Sequence, residues 1–402
     1  MNAKALVAAA LLAGVGCSRT RPSAPAPAEQ PTVVVLSFDA LANRFLDRDS
    51  LPAFHRLMAD GVRAPAQPEF PSKTFGNHYA MATGLTPGHN GIVLNQFFDP
   101  ARKEWFHKTS SGDGSFFNGE PIWVSAEKAG LRTANYFWFG GEAEIDGVRP
   151  TYWYPYNTTT TDVEKFGQLA KWFRLPAAQR PRLIMLYSAV VDSVGHKFGP
   201  DAPETAAAVR RADVALAALR DTLAQFKSLG VDLIIVSDHG LSYVPHDHDI
   251  PMDGFVPPKG ALVDNEHATF ALWQDPDGPV VNFDSLAVAY RKSIPHIRVF
   301  QHGQFPVQWL TDQNPRFGDI FLLADPGYEF IDKPGAASTL GEHGYDPATP
   351  DMMGTFLAAG PDFRRGVLLD ARENRSLHDL LATLLHLDTP RTTTVTNFGL
   401  KN

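Results

Sequence analysis

Three short apolar runs stand out along the chain, and none of them alternates with polar residues. Val33-Val34-Val35-Leu36-Ser37-Phe38-Asp39 ends in a carboxylate, Leu183-Ile184-Met185-Leu186-Tyr187 leads toward Asp192, and Leu233-Ile234-Ile235-Val236-Ser237 runs into Asp238-His239. A run without alternation suits a strand covered on both faces, so each predicts an interior strand of a parallel sheet. Between the second and third runs, Val209, Ala212, Leu216, Leu219, Leu223 and Phe226 recur at spacings of three and four. That period predicts an amphipathic helix, with Gly230 placed to end it. Strand, helix and strand in this order form a βαβ unit. A further helix is predicted from about Leu377 to Leu387, with Ser376 and Asp379 as its cap. The expected fold class is therefore α/β, a mainly parallel sheet with helices on both faces. In such sheets ligands bind at the carboxyl ends of the strands, where the polar residues of this chain collect. Two stretches fit the pattern poorly: about 95–160, aromatic and rich in Gly, and about 241–335, rich in Pro, His and turn residues. Both are expected as insertions over the site.

The N-terminus has a different pattern. Lys4 precedes a twelve-residue apolar run from Ala5 to Gly16, long enough for a secretory signal and too short for a spanning helix. Cys17 follows at once and is the only cysteine, as in bacterial lipoprotein signals, where the new N-terminal Cys is acylated. Ser18 is not the Asp associated with inner-membrane retention. The segment to Pro31 carries Pro22, Pro25, Pro27 and Pro31 among Ala, Ser and Arg, the composition of an extended tether. The expected organisation is a signal segment over 1–17, a tether over 18–31 and one catalytic domain over 32–402. The expected location is the periplasm, with the chain anchored through Cys17 to the outer membrane.

Composition narrows the chemistry. With 402 residues, 44% hydrophobic, the chain can bury a large core. Its 44 acidic residues exceed 36 basic ones, so it lacks the electrostatic footprint of a protein that coats polymeric nucleic acid. An anionic substrate must be held locally, for example by metal ions. A single Cys excludes an internal disulfide framework and a zinc ribbon, so any metal site must use His and carboxylates. Asp192 and His196, four apart, fall on one side of a helical turn, although Asp-x-x-x-His alone also describes a solvated helix start. Asp238-His239-Gly240 is a stronger signal, because two groups that resist burial end a strand meant for burial. His343 lies in Gly341-Glu342-His343-Gly344, where glycines let the backbone turn tightly. Together with Asp39 these supply three Asp and three His, an N/O donor set suited to zinc and sufficient for two ions. Phe70 to Gly84 reads as an extended segment turning into a helix. Thr74 would stand at its N-terminus, where orphan N–H groups favour an alkoxide or phosphoryl group, unless Thr74 or Ser72 is simply an N-cap.

These residues, taken in order, resemble the nucleotide pyrophosphatase/phosphodiesterase family of the alkaline phosphatase superfamily, in its bacterial form. The resemblance spans about Val33 to Phe363. It is carried by Phe38-Asp39, Lys73-Thr74-Phe75 with Asn77-His78-Tyr79, Thr83-Gly84-Leu85, Gly91-Ile92-Val93, Phe137-Trp138, Asp192 to His196 with Phe198-Gly199-Pro200, Ser237 to Gly240, and His343-Gly344-Tyr345-Asp346. It implies an alkaline phosphatase-like α/β/α sandwich. It implies two zinc ions per chain, one held by Asp39, Asp238, His239 and the Thr74 hydroxyl, the other by Asp192, His196 and His343. Thr74 would be the nucleophile, forming a phospho-threonine intermediate, and Asn95 would donate a hydrogen bond to a phosphoryl oxygen. Phe75 would stack on a nucleobase, with a second aromatic from Tyr152-Trp153-Tyr154-Pro155-Tyr156, for which Tyr154 and Tyr156 are the candidates. The implied reaction is hydrolysis of nucleotide phosphodiester or pyrophosphate bonds. Phospholipid head-group phosphodiesterase and phosphomonoesterase activity on the same scaffold, or a non-catalytic nucleotide-binding lipoprotein, are the alternatives. Gly76 and Phe139 depart from the prolines common in the family. His246-Asp247-His248-Asp249 lies outside the matching motifs and is expected as a solvated loop, and His78 as a helix-packing or second-layer histidine. Lys73 either steers anions or is structural. The chain carries no Walker-type loop, and no motif specifies its oligomeric state.

Overall fold

A computed structural model describes residues 31–401 apart from positions 49, 256 and 337. The signal segment, Cys17 and the tether through residue 30 lie outside the described residues. The three apolar runs form adjacent parallel strands at the centre of a nine-stranded sheet, with Thr32–Phe38 between Leu183–Ser188 and Val231–Val236. Strand Gly354–Ala359 pairs antiparallel with Val231–Val236 and with Val62–Gln67, while the other pairings in the sheet are parallel. The fold is the expected α/β class with an alkaline phosphatase-like mixed, mostly parallel sheet.

Burial on both faces explains why these runs do not alternate. Val33 and Val35 pack on one side with helices Thr74–Thr83, Ile122–Lys128 and Leu377–Leu384, and Val34, Leu36 and Phe38 on the other with Pro52–Asp60, Asp162–Phe173 and Pro203–Ala224. Each fully buried aliphatic side chain contributes about 1.5–3 kcal/mol of transfer free energy. A polar residue within such a strand would therefore be costly, whereas one just past its end can serve a site.

Several local expectations are corrected. The stretch 95–160 is not wholly an insertion, because Thr133–Tyr136 and Tyr152–Tyr154 extend the main sheet beyond Leu183–Ser188. These are short strands toward the sheet edge with mixed polar and aromatic residues, so they lack the apolar signature of interior strands. Residues 241–335 include a separate four-stranded antiparallel sheet, with neighbouring strands Ala261–Glu266, Thr269–Gln274, Ile320–Ala324 and Ile297–Gln301, against which helix Phe283–Ser293 packs. The helix after Pro203 stops at Ala224, and Gly230, at φ +58°, closes a separate 3₁₀ turn instead. Ser376 does not cap the last helix through its side chain. A 3₁₀ turn, Asn374–Ser376, runs directly into the helix, so Ser376 has helical dihedrals rather than the extended ones a cap requires.

Asp379 does something else. It is buried and accepts hydrogen bonds from the backbone N–H and hydroxyl of both Thr392 and Thr393, at 2.8–3.2 Å, pinning the C-terminal segment to the helix. Burial would raise its pKa, but His378 and the two threonines outweigh that and hold it well below the usual carboxylate range. A depressed folded-state pKa stabilises the fold above the unfolded value, near 3.9, and this contribution fades as pH falls through the folded pKa. Asp379→Ala should therefore cost about 2 kcal/mol or more at pH 7, with the gap to wild type narrowing below about pH 4. Urea titrations at pH 7 and pH 3 measure this, and an equal gap at both would contradict it.

Candidate active site

The candidate residues converge at the carboxyl ends of the central strands. Asp39 follows Thr32–Phe38, Asp238 and His239 follow Val231–Val236, and Asp192 opens the short helix Asp192–Phe198, which also carries His196. His343 arrives from the turn after Gly341–Glu342, where Gly344 has φ +105° and an added Cβ would lie 2.4 Å from Lys73 Cε. Only glycine fits there. Asp39, Asp238 and His239 gather into one group of donors, while Asp192, His239 and His343 form a second, and His196, Glu342 and His343 a third that overlaps it.

The three histidines share one arrangement. Nδ1 of His196 faces the Gly341 carbonyl at 2.7 Å, that of His239 the Gly240 carbonyl at 2.9 Å, and that of His343 the Ser72 carbonyl at 2.8 Å. A carbonyl only accepts, so Nδ1 carries the proton in each ring and Nε2 is the free donor atom. Each Nε2 turns to carboxylates: His196 lies 3.2 Å and His343 3.8 Å from Asp192 Oδ1, and His239 lies 3.0 Å from Asp238 Oδ2 and 3.5 Å from Asp39 Oδ1. Those oxygens, Asp39 Oδ1, Asp192 Oδ1 and Asp238 Oδ2, are buried without a hydrogen-bond partner. Tautomers set by backbone carbonyls and orphaned buried oxygens facing them fit a metal-binding donor set.

The electrostatics show what the protein alone does not neutralise. Burial, reinforced by Asp238 and Asp192, pushes the Asp39 pKa well above its ordinary value. Burial opposes charge on His196, yet Asp192 and Glu342 push its pKa up to about 10. Burial and the neighbouring His239, Lys73 and His196 drive His343 well below its ordinary value. Cations at this point would relieve the carboxylates and bind the Nε2 lone pairs, whose tautomer the Nδ1 contacts set.

Thr74 is the first residue of helix Thr74–Thr83 and makes no side-chain cap; its Oγ1 lies 3.2 Å from His239 Nε2. Phe75 N–H donates to Asn95 Oδ1 at 3.0 Å, which leaves the Asn95 amide nitrogen to act as a donor. His78 is fully buried between Ser37 Oγ, at 2.9 Å, and the Thr74 carbonyl, at 2.9 Å, and is 3.4 Å from Asp238 Oδ2. It supports the helix and the carboxylate. Lys73 is buried and turns away from Thr74, donating to the Glu266 carbonyl at 2.7 Å and lying 3.5 Å from Glu342 Oε1. His246 contacts Ser338 Oγ at 2.8 Å and His248 stacks on Tyr328, so this run does not join the donor groups.

A cavity of about 330 Å³ opens beside these groups. Thr74, Phe75, Asn95, Tyr154 and Tyr156 all line it. Tyr154 stacks on Tyr136 at 4.4 Å, and Tyr156 is more exposed, meeting Phe137 and Tyr187 edge-on. Two contributors escaped the reading of the sequence. Glu342, 1% exposed, receives the His343 N–H at 2.9 Å and stands 3.6 Å from His196 Nδ1. Its position beside His343 was the available signal. Phe139 stacks on Phe75 at 4.1 Å and 15°, covering one face of that ring. It was visible only as a departure from proline.

Comparison with known proteins agrees with this geometry. Residues 33–346 match the family model described as type I phosphodiesterase/nucleotide pyrophosphatase. An uncharacterized pyrophosphatase/phosphodiesterase of Schizosaccharomyces pombe is 32% identical over 89% of this chain and 77% of its own. Human ectonucleotide pyrophosphatase/phosphodiesterase family member 5 is 30% identical over 96% of this chain and 80% of its own. Rat family member 1 is 29% identical, and this chain spans 42% of its length. Among solved structures, murine ectonucleotide pyrophosphatase/phosphodiesterase 5 superimposes with a TM-score of 0.83 at 29% identity, covering 92% of this chain and 97% of that one. An inactive variant of the same murine protein in complex with AMP gives a TM-score of 0.84.

If the orphaned oxygens are metal ligands, chelation should lower the Tm of the full-length protein by several degrees and zinc should restore it. Ligand at a thousand times Kd stabilises by about 4 kcal/mol. His343→Ala should lose much of that increment and His246→Ala none. A Tm indifferent to both chelator and zinc, measured by scanning calorimetry, would refute the assignment.

Proposed function

The chain belongs to the type I phosphodiesterase/nucleotide pyrophosphatase family, and from that premise we propose that it is a two-zinc hydrolase of nucleotide phosphodiester or pyrophosphate bonds acting through Thr74. The observation that carries this reading is the shared histidine arrangement, with Nδ1 on a backbone carbonyl and Nε2 toward unpartnered carboxylate oxygens, and the Thr74 hydroxyl 3.2 Å from one of those rings. Asp39, Asp238, His239 and Thr74 would hold one ion, and Asp192, His196 and His343 the other. Bound zinc supplies Lewis-acid activation and charge neutralisation at the reacting oxygens.

The chain's own residues divide the remaining work. Thr74 Oγ1 attacks phosphorus as the bond to the leaving oxygen breaks, which leaves a threonyl phosphate ester, and water then hydrolyses that ester to release the nucleoside monophosphate. The N-terminus of helix Thr74–Thr83 and the Asn95 amide stabilise the non-bridging oxygens. Phe75 offers one ring face to a base, because Phe139 covers the other, and Tyr156 is the more available of the two candidate tyrosines. The AMP held by an inactive variant of the murine relative supports a nucleotide as substrate. The composition of residues 1–31 supports secretion to the periplasm and an outer-membrane anchor at Cys17.

Diesters are favoured over monoesters. A monoester carries an additional negative charge, and Lys73, the cation next to the nucleophile in sequence, is engaged with Glu266 and Glu342 instead. The lysine on the cavity wall is Lys108, on an exposed turn. A thymidine 5′-phosphate p-nitrophenyl ester should be cleaved with kcat/KM at least about a hundredfold above p-nitrophenyl phosphate, or roughly 2.7 kcal/mol. Phe75→Ala should shrink the advantage of the nucleoside ester over bis-p-nitrophenyl phosphate. Thr74→Ala should lose most of kcat while still folding and binding zinc. Equal kcat/KM on monoester and diester would overturn the diesterase reading, and near wild-type turnover in Thr74→Ala would overturn the nucleophile.

A further inference from the structure

A second cluster of donors lies where the four-stranded sheet region meets the loop that presents His343, and the proposed reaction does not use it. His267 stands at the tip of the hairpin between Ala261–Glu266 and Thr269–Gln274, Glu329 begins the strand Glu329–Ile331, and Glu342 precedes His343. Their ligand atoms lie within 4.8 Å of one another. Glu329 and Glu342 are 0% and 1% exposed. Thr339 donates its N–H, at 2.7 Å, and its hydroxyl, at 3.1 Å, to the two Glu329 oxygens.

One atom of this cluster is unsatisfied. His267 Nδ1 is buried and pairs with Glu329 Oε2 at 2.8 Å. Glu342 gives Oε1 to the His343 N–H at 2.9 Å, while its Oε2 is buried with no hydrogen-bond partner, although His196 Nδ1 is 3.6 Å away. The surroundings deepen the deficit of positive charge. Glu266 Oε2 and Asp264 Oδ2 are also buried and unpartnered. Lys73 serves this region from 3.5 Å to Glu342 and 3.9 Å to Glu266. With His267 protonated, it, Lys73 and His196 would be three cations facing four carboxylates, Glu329, Glu342, Glu266 and Asp264. An uncompensated buried carboxylate costs several kcal/mol, so such a cluster calls for a further positive charge.

We propose that His267, Glu329 and Glu342 form a separate cation site that takes a divalent transition-metal ion, with Zn²⁺ as its probe. One imidazole and two carboxylates are a donor set for such ions. Glu342 links the site to the catalytic loop, because the same carboxylate receives the N–H of His343. The ion is structural: it ties the hairpin tip and the Glu329 strand to the segment that positions His343.

The test compares full-length wild type with His267→Asn. Residue 267 has φ +62°, a left-handed conformation that asparagine tolerates, so this change removes the imidazole with little backbone strain. Both proteins are stripped with chelator, reloaded with zinc, passed through gel filtration and measured by inductively coupled plasma mass spectrometry, with circular dichroism as the fold control. Wild type should hold one zinc per chain more than His267→Asn, while the diesterase kcat stays within about twofold. Equal zinc content in two folded proteins overturns the proposal and leaves His267 as an imidazolium paired with Glu329. The comparison is independent of the catalytic reading, whose own failure would appear as zinc content unchanged by His343→Ala. Should His267→Asn not fold, anomalous diffraction at the zinc edge from wild-type crystals decides. A peak among His267, Glu329 and Glu342 supports the site, and peaks only at Asp39, Asp192 and their neighbours overturn it.

Discussion

Carboxylates placed where a doubly covered sheet ends set the terms for this molecule. Asp39 and Asp238 are buried directly past two adjacent parallel strands, and Asp192 joins them from the next strand's loop. Burial and three like charges so close together raise the cost of ionisation, and burial first, then Asp238 and Asp192, pushes the Asp39 pKa up. Much of the nearby structure answers that strain. Tyr187 donates its hydroxyl to Asp39 at 2.5 Å, Ala40 N–H reaches Asp238 at 3.3 Å, and His78 stands behind Asp238. The tyrosine hydroxyl and the Ala40 N–H bond the other oxygens of these carboxylates, and His78, 3.4 Å from Asp238 Oδ2, makes no hydrogen bond to it, so the oxygens that face the histidines stay orphaned. The core thus carries an unbalanced site by construction, the arrangement expected where stability is exchanged for chemistry.

How much of this is legible in the sequence follows from how local each cause is. Interior strands are legible because burial on both faces is written into consecutive residues. Asp39 and Asp238-His239 are legible for the same reason, since a polar group after such a run has few structural uses. The strands Thr133–Tyr136 and Tyr152–Tyr154 are not, because their place beyond the central strands relaxes the demand for apolar side chains. Asp379 looks like a capping residue until Thr392 and Thr393, brought back by the chain's fold, claim both its oxygens. Glu342 is the sharpest case. Its burial depends on Lys73, on the His343 backbone and on a hairpin tip from another sheet, none of which leaves a local trace.

Lys73 shows how one side chain can decide what a site discriminates. Next to Thr74 in sequence, it would be the natural cation for a dianionic phosphate. Its stem instead runs against Gly344, and its ammonium is held by the Glu266 carbonyl and Glu342. Freeing it would leave a buried Glu342 without its nearest ammonium, a loss of several kcal/mol that a substrate would have to offset. The lysine is committed to joining the two sheet regions.

The aromatic end of the cavity is joined mechanically to the phosphoryl end. Phe75 holds Asn95 through its backbone N–H, while its ring is braced by Phe139 at 4.1 Å and touches Phe106 edge-on at 6.5 Å. Under the proposed function, one residue then stacks on the remote group and fixes the amide that meets the phosphoryl oxygens. Thr74 is its neighbour on the same helical turn. A group seated against the free face of Phe75 is placed relative to nucleophile and amide by a rigid unit, so little further ordering is needed when the reaction begins. Binding energy from a part of the substrate that never reacts can then lower the barrier at phosphorus rather than merely tighten the complex. Phe139 is the brace: a smaller side chain there would leave Phe75 free to tilt, and the cost would fall on positioning before it fell on affinity.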